Sequence, residues 1–141
     1  MGQMALGGSV TTTVVTYPEP LLRTARTLID TGDFSTGVVV AHMACDISTE
    51  RALSRAFSAK SLASLEEAVE DLLPGYNLAN DRVRNLYNAL TGDEVQKQPF
   101  WQAFKESATR RNRIVHSGRI VNKADAEASY KAACDVVAYL K

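Results

Sequence analysis

The residues best suited to chemistry lie in one short polar segment, which runs from Arg111 to His116 and reads Arg-Asn-Arg-Ile-Val-His. In a helix, Asn112 and His116 stand four residues apart and share one face. Arg111 is rotated by about 100° from Asn112 and needs its long side chain to reach the same space. The pattern predicts that Arg111, Asn112 and His116 converge on one small anion.

These three residue types suit the cleavage of RNA by its own ribose, in which the 2′-hydroxyl attacks the neighbouring phosphate. Histidine titrates near neutral pH and can act as base or acid. The planar guanidinium of arginine offers paired donors to the phosphoryl oxygens, and asparagine can hold a ribose or phosphate group in place. We therefore expect catalytic roles for Arg111, Asn112 and His116, without a metal or a cofactor.

One His116 cannot be base and acid in the same step, so a single chain supplies half of such a site. A two-fold homodimer that pairs this helix with its mate would bring two Arg111 and two His116 side chains into one cleft. An interface cleft stays partly wet, which would explain why Arg111 interrupts an otherwise apolar helical stripe. We expect a homodimer.

The charges are unevenly distributed, although the formal net charge is zero. Residues 105–123 carry six basic residues against one acid, whereas acids outnumber bases in residues 66–94. A zero net charge argues against coating of nucleic acid by bulk electrostatics. We expect Arg110, Arg113 and Arg119 to bind an RNA or nucleotide substrate. The alternative is two solvated helix faces of opposite sign.

Apolar residues recur at helical spacing and predict an all-α fold, a single-domain bundle of five to six helices over residues 18–141 after a flexible arm at 1–17. Predicted starts and stops are Pro18 to Gly32, Asp33 to beyond Ala56, Ser61 or Ser64 to Pro74, Asn80 to Gly92, Pro99 to Gly118, and Asn122 to the C-terminus. Leu62, Leu65, Val69 and Leu72 are predicted to form the third helix's apolar stripe. The aromatic residues at the start of the fifth helix, Phe100, Trp101 and Phe104, are predicted to be core.

An Arg-x4-His pair with a polar residue directly after the arginine, on the penultimate helix of a small bundle, resembles the HEPN superfamily. The resemblance implies an all-α homodimer and, in many members, a metal-independent endoribonuclease of toxin-antitoxin or phage-defence systems. It also implies a supporting acid on the long second helix, for which Asp46 is the nearest match and Glu50 follows one turn later. A cognate partner protein would fit such a system.

One position departs from that family, because some toxin members carry a tyrosine two places after the histidine, where this chain has Gly118. Regulation by modification of that tyrosine is therefore not expected. Many HEPN-like domains serve as non-catalytic nucleotide-, RNA- or protein-binding modules, and this remains the alternative function. A third interpretation is a plain interaction domain, in which Arg111 pairs with Asp46 and His116 is favoured by the helix dipole.

Two further features bear on location and metal binding. The sequence has no apolar run of membrane-spanning length and no targeting signal, so we expect a cytoplasmic protein that does not bind membranes. His42, Asp46 and Glu50 recur every four residues along the second helix, which would permit a metal site. A polar helix face with a His42–Asp46 contact is the simpler interpretation.

Overall fold

The computed structural model describes residues 17–141, which form six α-helices and two 3₁₀ turns and contain no strand. The helices are α1 (Pro18–Asp30), α2 (Phe34–Ala59), α3 (Glu66–Glu70), α4 (Asp81–Thr91), α5 (Trp101–Ser117) and α6 (Lys123–Tyr139), and the 3₁₀ turns are Ala63–Leu65 and Val95–Lys97. The predicted all-α helical bundle is confirmed. Residues 1–16, most of the predicted arm, lie outside the described residues.

Local capping explains both ends of α4, the end of α5 and the start of α6. Asn80 precedes α4, and its side-chain oxygen accepts hydrogen bonds from the first free backbone N–H groups of that helix. Asn122 does the same for α6, accepting from the N–H of Asp125 at 2.8 Å. Gly92 and Gly118 end α4 and α5 in the left-handed conformation, with φ of 78° and 63°. The predicted bounds of these helices are confirmed.

The third helix differs from its prediction. The segment forms the 3₁₀ turn Ala63–Leu65 followed by a five-residue α3, and no side chain caps α3. The predicted apolar stripe is largely exposed, with Leu65 50% and Leu72 74% accessible. The prediction of a full buried helix was wrong, because no other helix packs on this segment closely enough to stabilise a longer helix.

Helix α2 is the centre of the bundle and packs against α1, α4, α5 and α6. Its 26 residues span about 39 Å. Leu53 and Phe57 are among its fully or nearly fully buried side chains, each 0–2% exposed. Trp101 and Phe104 of α5 are buried in the same core, as predicted. Within residues 17–141, no helix combines the length and apolar character needed to cross a membrane.

The loop between α5 and α6 is held to the start of α2. The hydroxyl of Ser35 accepts a hydrogen bond from the N–H of Val121 at 3.2 Å and donates to the carbonyl of Arg119 at 3.5 Å. Val121 is buried beside Ile29 and Val38 in a small apolar cluster. These contacts hold the backbone of the loop that carries Arg119.

Candidate anion-binding site on α5

Arg111 lies on the inward face of α5. It follows the buried residues Phe104 and Ser107 at helical spacing and is itself only partly exposed. Its Nη1 donates a hydrogen bond to Oδ1 of Asn112 at 2.9 Å. Its Nε is buried and has no hydrogen-bond partner among the described residues. The guanidinium is therefore directed toward α2, with Asn112 at its outer edge.

His42 of α2 is a buried side chain on which the charge of Arg111 acts. Its ring is 2% exposed and stacks on Phe104, with centroids 5.8 Å apart and planes inclined by 9°. Burial and, to a lesser extent, the charge of Arg111 lower the pKa of His42 to about 4, although a hydrogen bond with the Asn77 side chain acts in the opposite direction. At neutral pH His42 is uncharged.

Asp46 lies one turn after His42 and faces the same guanidinium. Burial raises its pKa to about 6, while the charge of Arg111 acts in the opposite direction. Oδ1 of Asp46 lies 3.4 Å from Nε2 of His42, but neither atom has a hydrogen-bond partner within residues 17–141. Since His42 is neutral, this contact is not an ion pair, and Arg111 supplies the positive charge near Asp46.

Glu50, the second predicted supporting acid, lies elsewhere. It is exposed, and its negative charge adds a small contribution to the raised pKa values of Glu70 and Tyr76, for which burial is the main cause. The structure therefore brings Asp46 to Arg111 but places Glu50 with the acidic residues near α3. Across the described residues no group of three or more His, Cys, Asp or Glu side chains could hold a metal. This geometry gives no support to a metal at His42, Asp46 and Glu50.

His116 is exposed in the last turn of α5. It lies five positions after Arg111, which places the two side chains about 140° apart around the helix axis. Within one chain, Arg111 faces the core and His116 faces solvent, so the predicted convergence is not present there. Val115 and Ile120 flank His116 and are 50% and 86% exposed.

The outer face of α5 borders a cavity of about 380 Å³, here called the basic groove. Its lining includes four basic side chains, Lys105, Arg110, Arg113 and Arg119, and two acidic ones, Glu106 and Asp125. All three predicted substrate-binding arginines thus line one cavity. Arg110 is anchored to α6, donating to Oγ of Ser129 at 2.7 Å, whereas Arg113 and Arg119 are exposed.

A second cavity, of about 280 Å³, lies between the start of α4 and α5 and is here called the amide pocket. It is lined by Asn77, Ala79, Asn80, Lys105, Ala108, Thr109 and Asn112. The sequence indicated Asn80 only as a helix cap and gave no signal for Asn77. With Asn112 they place three side-chain amides around one cavity, because the segment before α4 lies against α5.

No family model, curated protein or solved structure matches the chain. The two cavities and the residues behind them therefore carry the functional argument.

Proposed function

We propose that this chain is a HEPN-like RNA-binding module whose substrate lies in the basic groove. The observation that carries the proposal is the position of Arg110, Arg113 and Arg119 around one cavity. The groove presents four cations and two carboxylates, and Arg113 and Arg119 are exposed. Such side chains bind backbone phosphates and give affinity that falls with salt.

The groove also offers apolar surface. Ile120 is 86% exposed at the same cavity, next to the buried Val121. Single-stranded RNA presents its ribose and base surfaces beside its phosphates, so a cationic wall next to an apolar one suits it. A single strand fits better than a duplex, whose major groove excludes side chains.

We further propose that two copies associate through the exposed end of α5 and that the dimer cleaves RNA without a metal. Val115, 50% exposed, is an apolar residue directly before His116 and does not line the basic groove. Burying Val115 against a symmetry mate would place His116 beside the partner copy, so that one imidazole acts as base and the other as acid. Toxin-antitoxin or phage-defence systems, with a cognate partner protein, are the proposed setting.

The competing function is RNA binding without cleavage. It is favoured by the separate environments of Arg111 and His116 within one chain. In that case Arg111 serves chiefly to neutralise Asp46, and the basic groove alone determines binding. The two functions share the same RNA site and differ only in whether His116 takes part in chemistry.

Binding is tested by measuring the affinity of the full chain for a fluorescent single-stranded RNA in EDTA. Arg113→Ala and Arg119→Ala should each weaken binding by about tenfold, the effect expected of a lost charged contact. Arg23→Ala is the matched control, since Arg23 is also exposed but lies on α1. Equal affinities for all four proteins would refute the proposed RNA site.

Cleavage is tested in the same buffer by following RNA length and end chemistry. The ribose mechanism predicts 2′,3′-cyclic phosphate ends and a requirement for His116. Intact RNA after incubation with folded, dimeric protein would reject the endoribonuclease and leave the binding function in place.

A further inference from the structure

We propose that the amide pocket is a second phosphate-binding site, which takes the acceptor oxygens of a phosphoryl group. The inference rests on the proposed RNA-binding function, because it names a further contact for the same class of ligand. The cavity volume of about 280 Å³ is small for a whole drug-sized ligand but ample for a phosphate with part of its ribose.

The side-chain oxygens of two asparagines in the amide pocket are already used within the protein. Oδ1 of Asn77 accepts a hydrogen bond from the N–H of Ala79 at 3.0 Å. Oδ1 of Asn80 accepts from the N–H groups of Arg82 at 3.0 Å and Val83 at 3.4 Å. In both residues the backbone therefore holds the oxygen end of the side-chain amide.

The side-chain oxygen of the third asparagine, Asn112, is also engaged, but by a side chain and not by the backbone. Oδ1 of Asn112 accepts from Nη1 of Arg111 at 2.9 Å. An asparagine side chain has one acceptor oxygen and one NH₂ group that donates twice. With all three oxygens engaged, Asn80 and Asn112 have their NH₂ groups left to donate to a ligand, and the side chain of Asn77 also hydrogen-bonds with His42.

Lys105 adds a positive charge to this set of donors, and none of the seven lining residues is acidic. A ligand in the amide pocket must therefore supply acceptors. Phosphoryl oxygens are acceptors only and form the strongest hydrogen bonds with cationic donors. The pocket thus differs from the basic groove, where Glu106 and Asp125 offset part of the positive charge.

The two cavities are adjacent on α5. Lys105 and Thr109 line both of them, so these two residues form a ridge with the basic groove on one side and the amide pocket on the other. A chain of phosphates that runs along the basic groove can cross this ridge and place one phosphate among the amides. A nucleic acid strand provides such a chain, whereas a free nucleotide would fill one cavity at a time.

The test follows the side-chain NH₂ signals of Asn77, Asn80 and Asn112 by ¹⁵N NMR of the full chain. Inorganic phosphate, AMP and a short RNA are titrated at constant ionic strength, with sodium chloride and adenosine as controls. Saturable shifts with phosphate and AMP, but not with the controls, are expected. Tighter binding of RNA than of AMP would identify the RNA backbone as the source. Absence of a saturable shift with every phosphate-bearing probe would overturn the inference.

Two variants separate a donor role from a structural one. Asn112→Asp and Asn77→Asp each keep an oxygen for the existing intramolecular bond but replace the NH₂ donor by a carboxylate oxygen. Phosphate affinity should fall by about tenfold or more in each. Gln96→Glu makes the same chemical change outside both cavities and keeps the acceptor for Asn88, so its phosphate affinity should be unchanged. Wild-type affinity in Asn112→Asp would also overturn the inference.

Failure of this inference is distinguishable from failure of the proposed function. If Arg113→Ala weakens RNA binding while the asparagine signals ignore phosphate, the RNA site stands and the amide pocket does not. If the asparagine signals respond to phosphate but groove variants bind RNA normally, the pocket stands and the proposed RNA site does not.

Discussion

Oδ1 of Asp46 and Nε2 of His42 lie 3.4 Å apart, and their pKa values are shifted in opposite directions by the same burial. Burial disfavours the charged form of each group, so it raises the pKa of the acid and lowers that of the imidazole. Arg111 faces both groups. At neutral pH the cluster consists of an anionic Asp46, a neutral His42 and a cationic Arg111.

This cluster predicts two effects of pH on the free energy of unfolding that partly cancel in the wild-type protein. The pKa of Asp46 rises from 3.8 to about 6, so the folded state binds that proton more tightly and is stabilised as pH falls from 6 toward 4. The pKa of His42 falls from 6.5 to about 4, so the unfolded state binds that proton more tightly and the fold is destabilised over nearly the same range. The two contributions have opposite signs.

Single substitutions should expose each contribution. In His42→Gln the free energy of unfolding should rise by about 1 kcal/mol as the pH falls from 7 to 5. Compared with the wild type over the same interval, this is a gain of about 2 kcal/mol. In Asp46→Asn it should fall relative to wild type over the same interval, by about 1 kcal/mol. Urea denaturation at the two pH values measures both. Parallel pH profiles for the wild type and both variants would contradict the assignment.

Arg111 is predicted to stabilise the fold independently of any ligand. Arg111→Met removes the cation that faces Asp46 and should cost about 1–3 kcal/mol at pH 7. The loss should be smaller in the Asp46→Asn background, since no buried carboxylate then remains to be neutralised. Arg113→Met, an exposed substitution two residues later, is the control and should be nearly neutral. Additive effects in the double variant would show that Arg111 and Asp46 are not coupled.

The fold was largely predictable because helix ends depend on local chemistry. Asn80, Asn122, Gly92 and Gly118 act through their own backbone neighbours, and each marks a helix end in the structure. The third helix was not predictable in this way. Its leucines have helical spacing, but their burial depends on whether another helix covers them, which local sequence does not encode.

The candidate site was predictable only in part. The motif residues were identified, and the 100° step per residue already placed Arg111 away from Asn112 and His116. Whether Arg111 or His116 points to the core depends on how α5 packs on α2, which the helical step does not show. The sequence left open whether Arg111 converges with His116 or pairs with Asp46, and the structure turns Arg111 toward Asp46. The position of His42 beside Arg111 was not predicted. The amide pocket required the same tertiary information.

His116 is predicted to matter for chemistry and not for stability or binding. It is exposed in the last turn of α5, so His116→Ala should change the free energy of unfolding by no more than about 0.5 kcal/mol. RNA affinity should stay within about twofold of wild type, while cleavage should be abolished. Chemical denaturation, RNA binding and RNA length are measured on the same preparation. Undiminished cleavage by His116→Ala would remove His116 from the proposed mechanism.

The basic groove predicts a specific salt dependence. For single-stranded nucleic acid, the logarithm of the binding constant falls with the logarithm of salt concentration by about 0.7 for each phosphate neutralised. Arg113→Ala and Arg119→Ala should each reduce the slope by about 0.7, and the double variant by about twice that. Binding is measured from low to high sodium chloride. A slope unchanged in the double variant would mean that these arginines do not contact phosphates.

Gly37 is predicted to set the distance between α1 and α2. A Cβ atom at this position would lie 2.6 Å from Cγ1 of Ile29, which is 1% exposed and cannot move without disturbing the core. Alanine favours a helix over glycine by about 1 kcal/mol, but the overpacking costs about 1–3 kcal/mol. Gly37→Ala should therefore be net destabilising, by about 1 kcal/mol.

Removing the obstructing atom reverses the expected sign. In the Ile29→Ala background Cγ1 is gone, so Gly37→Ala should recover the helix propensity and stabilise the protein by up to about 1 kcal/mol. Urea denaturation of the four proteins of this cycle measures the coupling between the two positions. If Gly37→Ala stabilised the wild-type background as well, α1 and α2 would be farther apart than the contact between Gly37 and Ile29 requires.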